Sequence, residues 1–295
     1  MGTNSSTLST NYSTDTLYGM INQRHALLGG KVTYKYYPNT TLNKKYNCFV
    51  PQEVNGVWQN VPRDSAGNAI VPPPIAYFGV GIRGFYNITS DDEISPLSQP
   101  YIPRIKEKDL YRPIPIRCVP KEYDLDATER AKYRLRTEIT INNNIYVCYW
   151  LKKLTFAPTL DLVQIDSNGT ETDYTIADTM DDLSPVPSAI TTPAVVSGSS
   201  KIVIAARVTC EITKAEIMEA INVLYAGDIR RARISEWGLY TGGDKVVTNA
   251  EGLSYTEALY VQLSSKRCTT GLDMSDQETQ QETITIQNGN LLLVD

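Results

Sequence analysis

The chain has 295 residues, 41% of them hydrophobic, enough to bury a sizeable core as one large β domain or two smaller ones. Its 28 basic and 33 acidic side chains leave a net charge of −5, which argues against a general nucleic-acid-binding surface. No run of eighteen apolar residues is present to form a transmembrane helix.

Residues 1–14 are polar, lack a periodic pattern and are expected to form a flexible arm. MGTNSSTLSTNYSTDT shows neither the basic nor the apolar region of a signal peptide, and its M-G-x-x-x-S match carries little weight in a Ser/Thr/Asn-rich tail. A short helix is predicted over 16–28, with Asp15 as cap, an apolar side of Leu17, Met20, Ile21 and Leu28, and Gly29-Gly30 as its stop. His25, the only histidine, lies on or beside it. Alone it makes no metal cluster, and no orienting third group for a triad is visible.

KVTYKYYP (31–38) reads as a strand, and 50–75 as a long extended connection ending in three prolines. Gly79, Gly81 and Gly84 then spell G-x-G-x-x-G. A dinucleotide site needs a helix to start within that motif, whereas FYNITS and an acidic loop come next. Close approach of backbones is the better account. From 95 to 120 six prolines punctuate the chain, so this stretch is expected at sheet edges or on neighbouring subunits.

Asp126 and Glu129 are placed to cap one helical turn. Residues 133–156 read as a hairpin turning at Asn142, Asn143 and Asn144, and 161–175 as a second turning at Asn168-Gly169. A polar, proline-rich bridge covers 177–200, and a terminal hairpin is expected to turn at Asn288-Gly289.

The best-patterned stretch is 201–265. In KIVIAARVTCEI, Ile202, Ile204, Ala206, Val208, Cys210 and Ile212 share one face, predicting a half-buried strand. Thr213 and Glu216 have capping-box spacing. Ile217, Ala220, Ile221 and Leu224 form a helical stripe that Gly227 terminates. ARISEWGLYTGGDKVV comes next as a strand ending in a Gly-Gly-Asp turn, then SYTEALYVQLSS as another strand. On the first of these, Glu236 shares a face with Ile234, Gly238 and Tyr240, and Trp237 with Arg233, Ser235 and Leu239. A carboxylate among apolar groups needs a partner. Arg207, Arg231, Arg233 or backbone amides are the candidates. Glu236, Trp237, Arg233, Arg207, Tyr240 and Tyr260 are thus the structural and interaction candidates.

Five cysteines (Cys48, Cys118, Cys148, Cys210, Cys268) with no C-x-x-C pair read as reduced thiols, not as a disulfide framework or zinc site. Cys148 and Cys210 fall within predicted strands and are expected in the core. Nineteen tyrosines against four phenylalanines suit either subunit interfaces or solvent-edge strand positions. No G-x-S-x-G, H-E-x-x-H or Walker A sequence occurs, and the Asp91-Asp92 and Asp181-Asp182 pairs lie in polar loops. No enzymatic activity and no cofactor or metal is expected.

The segments YFGVGIRG, DDLSPVP, ARISEWGLYTGGDKVV and ALYVQLSS together resemble a group of virion structural proteins of tailed bacteriophages. The likeness is strongest over 183–263 and weaker over 75–156. It implies a non-enzymatic particle component, assembled in the host cytoplasm, whose partners are further copies of itself in a ring and other virion proteins. A place in the neck (head-tail connection) or tail machinery is the leading expectation. A tail-tip, fibre-attachment or receptor-binding module, a capsid decoration protein and, last, a cell-wall glycosidase are the alternatives. No membrane, specific nucleic acid or small-molecule ligand is expected.

The expected fold is mainly β: a β-sandwich core, one principal α-helix over about 213–226, proline-rich connections and an N-terminal arm. Residues 1–30 would be arm and short helix. Residues 31–295 would be a single β-rich domain with excursions at 50–75, 95–120 and 177–200 reaching neighbouring subunits.

Overall fold

The computed structural model describes residues 13–17, 19–21, 23, 52–54, 57–59, 74–88, 97–157, 159–166, 170–174, 201–273 and 278–290. The strand expected at 31–38, His25, most of 50–75, the bridge at 177–200, the acidic pairs and the Asn168-Gly169 turn lie outside these. The chain is mainly β, with large antiparallel sheets and one principal helix, as the patterning predicts. Where one domain was expected over 31–295, it divides into two compact units: 1–155 with 210–282, and 156–209 with 283–295.

The strands are β1 (Ser13–Asp15), β2 (Gln52–Val54), β3 (Val57–Gln59), β4 (Ile75–Gly81), β5 (Phe85–Ile88), β6 (Leu97–Pro100), β7 (Pro113–Ile114), β8 (Arg117–Pro120), β9 (Tyr133–Ile141) and β10 (Asn144–Lys153). They continue with β11 (Thr159–Ile165), β12 (Glu171–Asp173), β13 (Lys201–Thr213), β14 (Arg233–Thr248), β15 (Ser254–Asp273) and β16 (Thr279–Asn290). The α-helices described along their whole length are α1 (Ala127–Arg130) and α2 (Lys214–Tyr225).

The larger unit is built on an eight-stranded sheet ordered β1-β15-β14-β4-β10-β8, with β7 on β4 and β9 on β10. Its spine is the long β14–β15 ladder, from Arg233↔Asp273 to Thr248↔Ser254. The Gly-Gly-Asp stretch does not turn the chain. Gly242 and Gly243 instead absorb a register shift opposite Tyr260, whose φ is +56°, and the turn comes later, where Asn249 Oδ1 accepts the amides of Glu251 and Leu253. A Cβ on Gly242 would stand 3.0 Å from the Tyr77 ring and 3.1 Å from the Leu259 carbonyl, so a larger residue there would have to push these neighbours back by a few tenths of an ångström.

β9 and β10 form the expected hairpin, with Asn142 (φ 50°) and Asn143 (φ 62°) in the left-handed turn. β9 then returns to β15. There Leu135 has φ 55°, and its amide and that of Arg136 are taken by the Glu257 carboxylate at 2.5 and 2.9 Å. The circuit β15, β14, β4, β10, β9 is therefore closed by a side chain.

α2 agrees closely with the sequence reading. Thr213 and Glu216 make the reciprocal capping box, Ile217, Ala220 and Ile221 are buried, and the chain leaves through left-handed Ala226 and Gly227. Ala220 enters a core with Tyr77, Leu135, Leu151, Tyr240, Val261 and Leu263. α1 is capped as expected, Asp126 accepting from the amides of Thr128 and Glu129. At the N-terminus the helical residues Leu17, Gly19–Ile21 and Gln23 are capped by Thr16, not Asp15. The Thr16 hydroxyl accepts the Gly19 amide and itself donates to the Leu263 carbonyl. Asp15 is instead in β1, so the end of the expected arm is a strand paired with β15.

In the smaller unit β11 pairs with β12 and β13, and Val163, Ile165, Val203 and Ala205 form its core. The period-two face of β13 therefore reverses: Val203 and Ala205 are buried while Ile204 is exposed, and only from Val208 onward do even positions point inward. Along this thirteen-residue strand the buried face changes phase between Ala205 and Val208. β16 runs as strand through Asn288-Gly289, where a turn was expected, because the sheet order places it along β13. Two proline-rich stretches also carry strands: β2 pairs with β3, and β7 and β8 join β4 and β10.

Candidate functional site

Of the three glycines of G-x-G-x-x-G, Gly79 is paired with Gly238 of β14, while Gly81 and Gly84 lie against Ser235 and Glu236. A Cβ on Gly81 would lie 2.1 Å from Glu236 Oε2 and 2.7 Å from the Arg112 carbonyl; one on Gly84 would lie 1.9 Å from the Ser235 carbonyl. β5 comes next, so no helix begins within the motif, and the glycines serve backbone approach.

Glu236 is fully buried on β14. Its Oε1 and Oε2 accept the consecutive amides of Tyr111 (2.8 Å) and Arg112 (2.9 Å), and the Arg83 amide also reaches it. The sequence reading allowed arginine or amides; amides hold it, and the cation beside it is Lys266 at 3.8 Å. Lys266 is 1% exposed. Its Nζ donates to Glu107 Oε2 (3.1 Å) and the Asp109 carbonyl (3.3 Å) and stands 3.1 Å from the centroid of the Tyr111 ring. Burial pushes the Glu236 carboxyl above its usual range, with Lys266 and the three amides opposing.

These contacts pin 101–112, a strap crossing from β6 to β7. Its inner side carries buried Leu110. Its outer side presents Ile102 (64% exposed), Ile105 (48%) and Tyr111 (40%) beside Tyr86 and Leu17. Tyr86, Tyr101 and Tyr111 pack in a row at 5.2 and 5.4 Å between ring centroids. The Leu17 amide donates to the Ile105 carbonyl, which ties the N-terminal turn to the strap. Beyond the strap, Arg112 and Arg231 both lie over the Tyr225 ring, and Arg233 lies over Phe85.

The remaining sequence candidates scatter. Trp237 stacks on Phe78 with no exposure, and Tyr240 and Tyr260 are equally buried, so all three build core and none offers a surface. Arg233 donates to the Gly271 carbonyl, and Arg207 pairs with Asp161 in the smaller unit. Neither is a partner of Glu236. Sequence reasoning missed Lys266, Glu107 and Glu257. Glu257 carried the same signal as Glu236, a carboxylate inside an apolar strand, and Lys266 carried its counterpart. The tyrosines serve in a way the composition did not suggest: buried Tyr77, Tyr133 and Tyr149 donate their hydroxyls to Asp244, Glu216 and Asp124.

A second ionic knot centres on Asp244. Arg134, 3% exposed, grips it twice (2.8 and 2.9 Å), and Tyr77 and Lys153 add bonds of 2.6 and 3.3 Å. Burial alone would raise the Asp244 carboxyl, but Arg134, Tyr77 and Lys153 hold it well below the usual carboxylate range. A carboxyl lowered on folding stabilises fully above its unfolded pKa of about 4, and that contribution is lost as pH falls through the folded value. Asp244→Asn is therefore expected to lose less stability than wild type between about pH 6 and about pH 3. The difference should be about 1 kcal/mol after allowing for solvent screening, read from urea midpoints. Parallel pH profiles would exclude this role.

Two open clefts, about 700 and 410 Å³, flank Lys121. The ionic groups of the smaller one satisfy one another, Lys121 with Glu138 and Glu251, and Arg136 with Glu138 and Asp124. Among the described residues no group of three or more His, Cys, Asp or Glu is placed to hold a metal, and no helix is long and apolar enough to cross a membrane. What the strap region offers chemically is a surface of aromatic, aliphatic and arginine side chains on a base held by buried hydrogen bonds and ion pairs. No curated protein and no solved structure matches the chain. Over residues 2–293 it matches a family described as a family of unknown function, DUF7208, and it belongs to that family.

Proposed function

We propose that this chain is a non-enzymatic structural subunit of a tailed-phage virion, in the neck or tail machinery, that works through repeated contacts with copies of itself and with other virion proteins. One observation carries the interaction reading: the outward row of Tyr86, Tyr101, Tyr111, Ile102 and Ile105 on a strap that a buried ion cluster holds rigid. Tyrosine and isoleucine on a pre-organised base are the composition of an interface centre, since little conformational freedom is lost on docking. The virion assignment itself rests on the sequence resemblance. The strap was expected to reach a neighbour as a loose excursion. Here it is bound to its own subunit, so any neighbour would meet its outer side.

Ile105→Asp is expected to weaken self-association of the purified chain at least about tenfold by light scattering, with an unchanged melting temperature. Assembly indifferent to this change would exclude the surface, and a cryo-EM map placing the chain on the capsid shell would exclude the neck or tail. The same tyrosine row also suits a glycan-binding module at a tail tip. Binding to a glycan array, lost in Tyr111→Ala, would favour that reading instead.

A further inference from the structure

Cys118 on β8 and Cys148 on β10 are direct partners in the antiparallel ladder, between the pairs Val119↔Val147 and Arg117↔Tyr149. Directly opposed residues project from the same face, with Cα atoms about 4.5–5.5 Å apart, inside the range of about 4.4–6.8 Å that a disulfide spans. Both thiols are free, they are 2% and 0% exposed, and they belong to one core cluster. They are also within hydrogen-bonding reach of each other. Cys210 and Cys268 are buried too, but Cys210 lies away on β13 and Cys268 faces Glu236 in the β14–β15 ladder.

We propose that Cys118 and Cys148 are a preformed disulfide site that closes when the chain meets a small-molecule disulfide oxidant such as glutathione disulfide. One thiolate attacks the oxidant and releases a glutathione thiol. The second thiolate then attacks the mixed disulfide and releases the other. The two S–H protons and one electron pair pass to glutathione disulfide, which leaves as two thiols, and the protein keeps one S–S bond. The bond would staple β8, a four-residue strand that ends in Pro120, to the centre of the sheet. Its neighbour Cys118, and then burial, push the Cys148 thiol above its ordinary value, so attack proceeds from locally opened protein and closure is slow. The bridge requires only the ladder register and is independent of the virion reading.

The test equilibrates the full chain in a glutathione redox buffer at about pH 8, starting both from reduced folded protein and from reduced unfolded chain. Acid quenching, alkylation and peptide mass mapping complete it. The expected product from both starts is a Cys118–Cys148 bridged peptide two hydrogens lighter than its parts, with Cys210 and Cys268 alkylated. The melting temperature should rise by roughly 5–10 °C, as a bridge closing about thirty residues predicts. Cys118→Ala and Cys148→Ala should each abolish the bridge and the rise. Alkylation of both cysteines from both starts, bridges shared indiscriminately with the other cysteines, or a bridge that lowers the melting temperature would each overturn the proposal.

Discussion

Alanine in place of Gly84 is expected to destabilise the larger unit by more than about 4 kcal/mol, or to prevent its folding. The added Cβ would sit 1.9 Å from the Ser235 carbonyl oxygen and 2.6 Å from its carbon, both backbone atoms of the central strand. No rotamer change relieves that overlap; β14 or the loop after β4 must move, and the Gly84 amide would lose the Ser235 hydroxyl that it meets at 2.8 Å. Gly252→Ala is the matched control. Its Cβ meets nothing within 4 Å, and only its φ of +83° opposes the change, so about 1 kcal/mol is expected there. Chemical denaturation of the two variants separates the effects. Equal and small losses would mean that the loop after β4 does not approach β14 this closely.

Glu236→Ala is the second large effect. It orphans the amides of Tyr111 and Arg112 and removes one of two carboxylates beside a lysine that is 1% exposed, at an expected loss of about 3–5 kcal/mol. Glu236→Gln keeps an acceptor but turns an NH2 toward one of those amides, and should lose about half as much. The strap should respond before the rest of the fold. Amide exchange at 101–112 is expected to quicken in Glu236→Gln while exchange in β9 and β10 stays as in wild type. The sign of the pH effect is set by the raised carboxyl. A group whose folded pKa lies above its unfolded value contributes stability that is present below the unfolded pKa and is lost as pH rises through the folded one. Glu236→Gln should therefore cost less at neutral pH than at about pH 4. A larger loss at neutral pH would mean that the ionised carboxylate is favoured by the fold.

Much of the local structure was legible because local forces decide it. The capping box of Thr213 and Glu216, the Asp126 cap, the Asn142-Asn143 turn and the buried stripe of α2 all involve groups within a few residues of each other. The demand that Glu236 be satisfied was legible too, since a carboxylate in an apolar strand carries its desolvation penalty wherever the strand is placed. The rejection of G-x-G-x-x-G as a nucleotide site belongs with these, because the strand-forming FYNI segment directly after Gly84 leaves no room for a helix to begin there.

Other features belong to the third dimension. Which amides meet Glu236 depends on a strap more than a hundred residues away in sequence, and which cation stands beside it depends on the β14–β15 register. The change of buried face along β13 is not in its period-two pattern, and the Gly242-Gly243 bulge depends on a ladder that continues past it. Tyr240 and Tyr260 read as structural or interaction candidates because residue type alone does not report burial, and the packing puts both inside. Cysteine spacing spoke against a disulfide framework, yet an antiparallel register places Cys118 opposite Cys148 at a separation no spacing rule anticipates. Chain order was therefore enough for most of the elements, for the caps of α1 and α2 and for the burial of one charge. The choice of distant groups that share that burial came from the assembled sheet, because pairing across strands is set by register and not by distance along the chain.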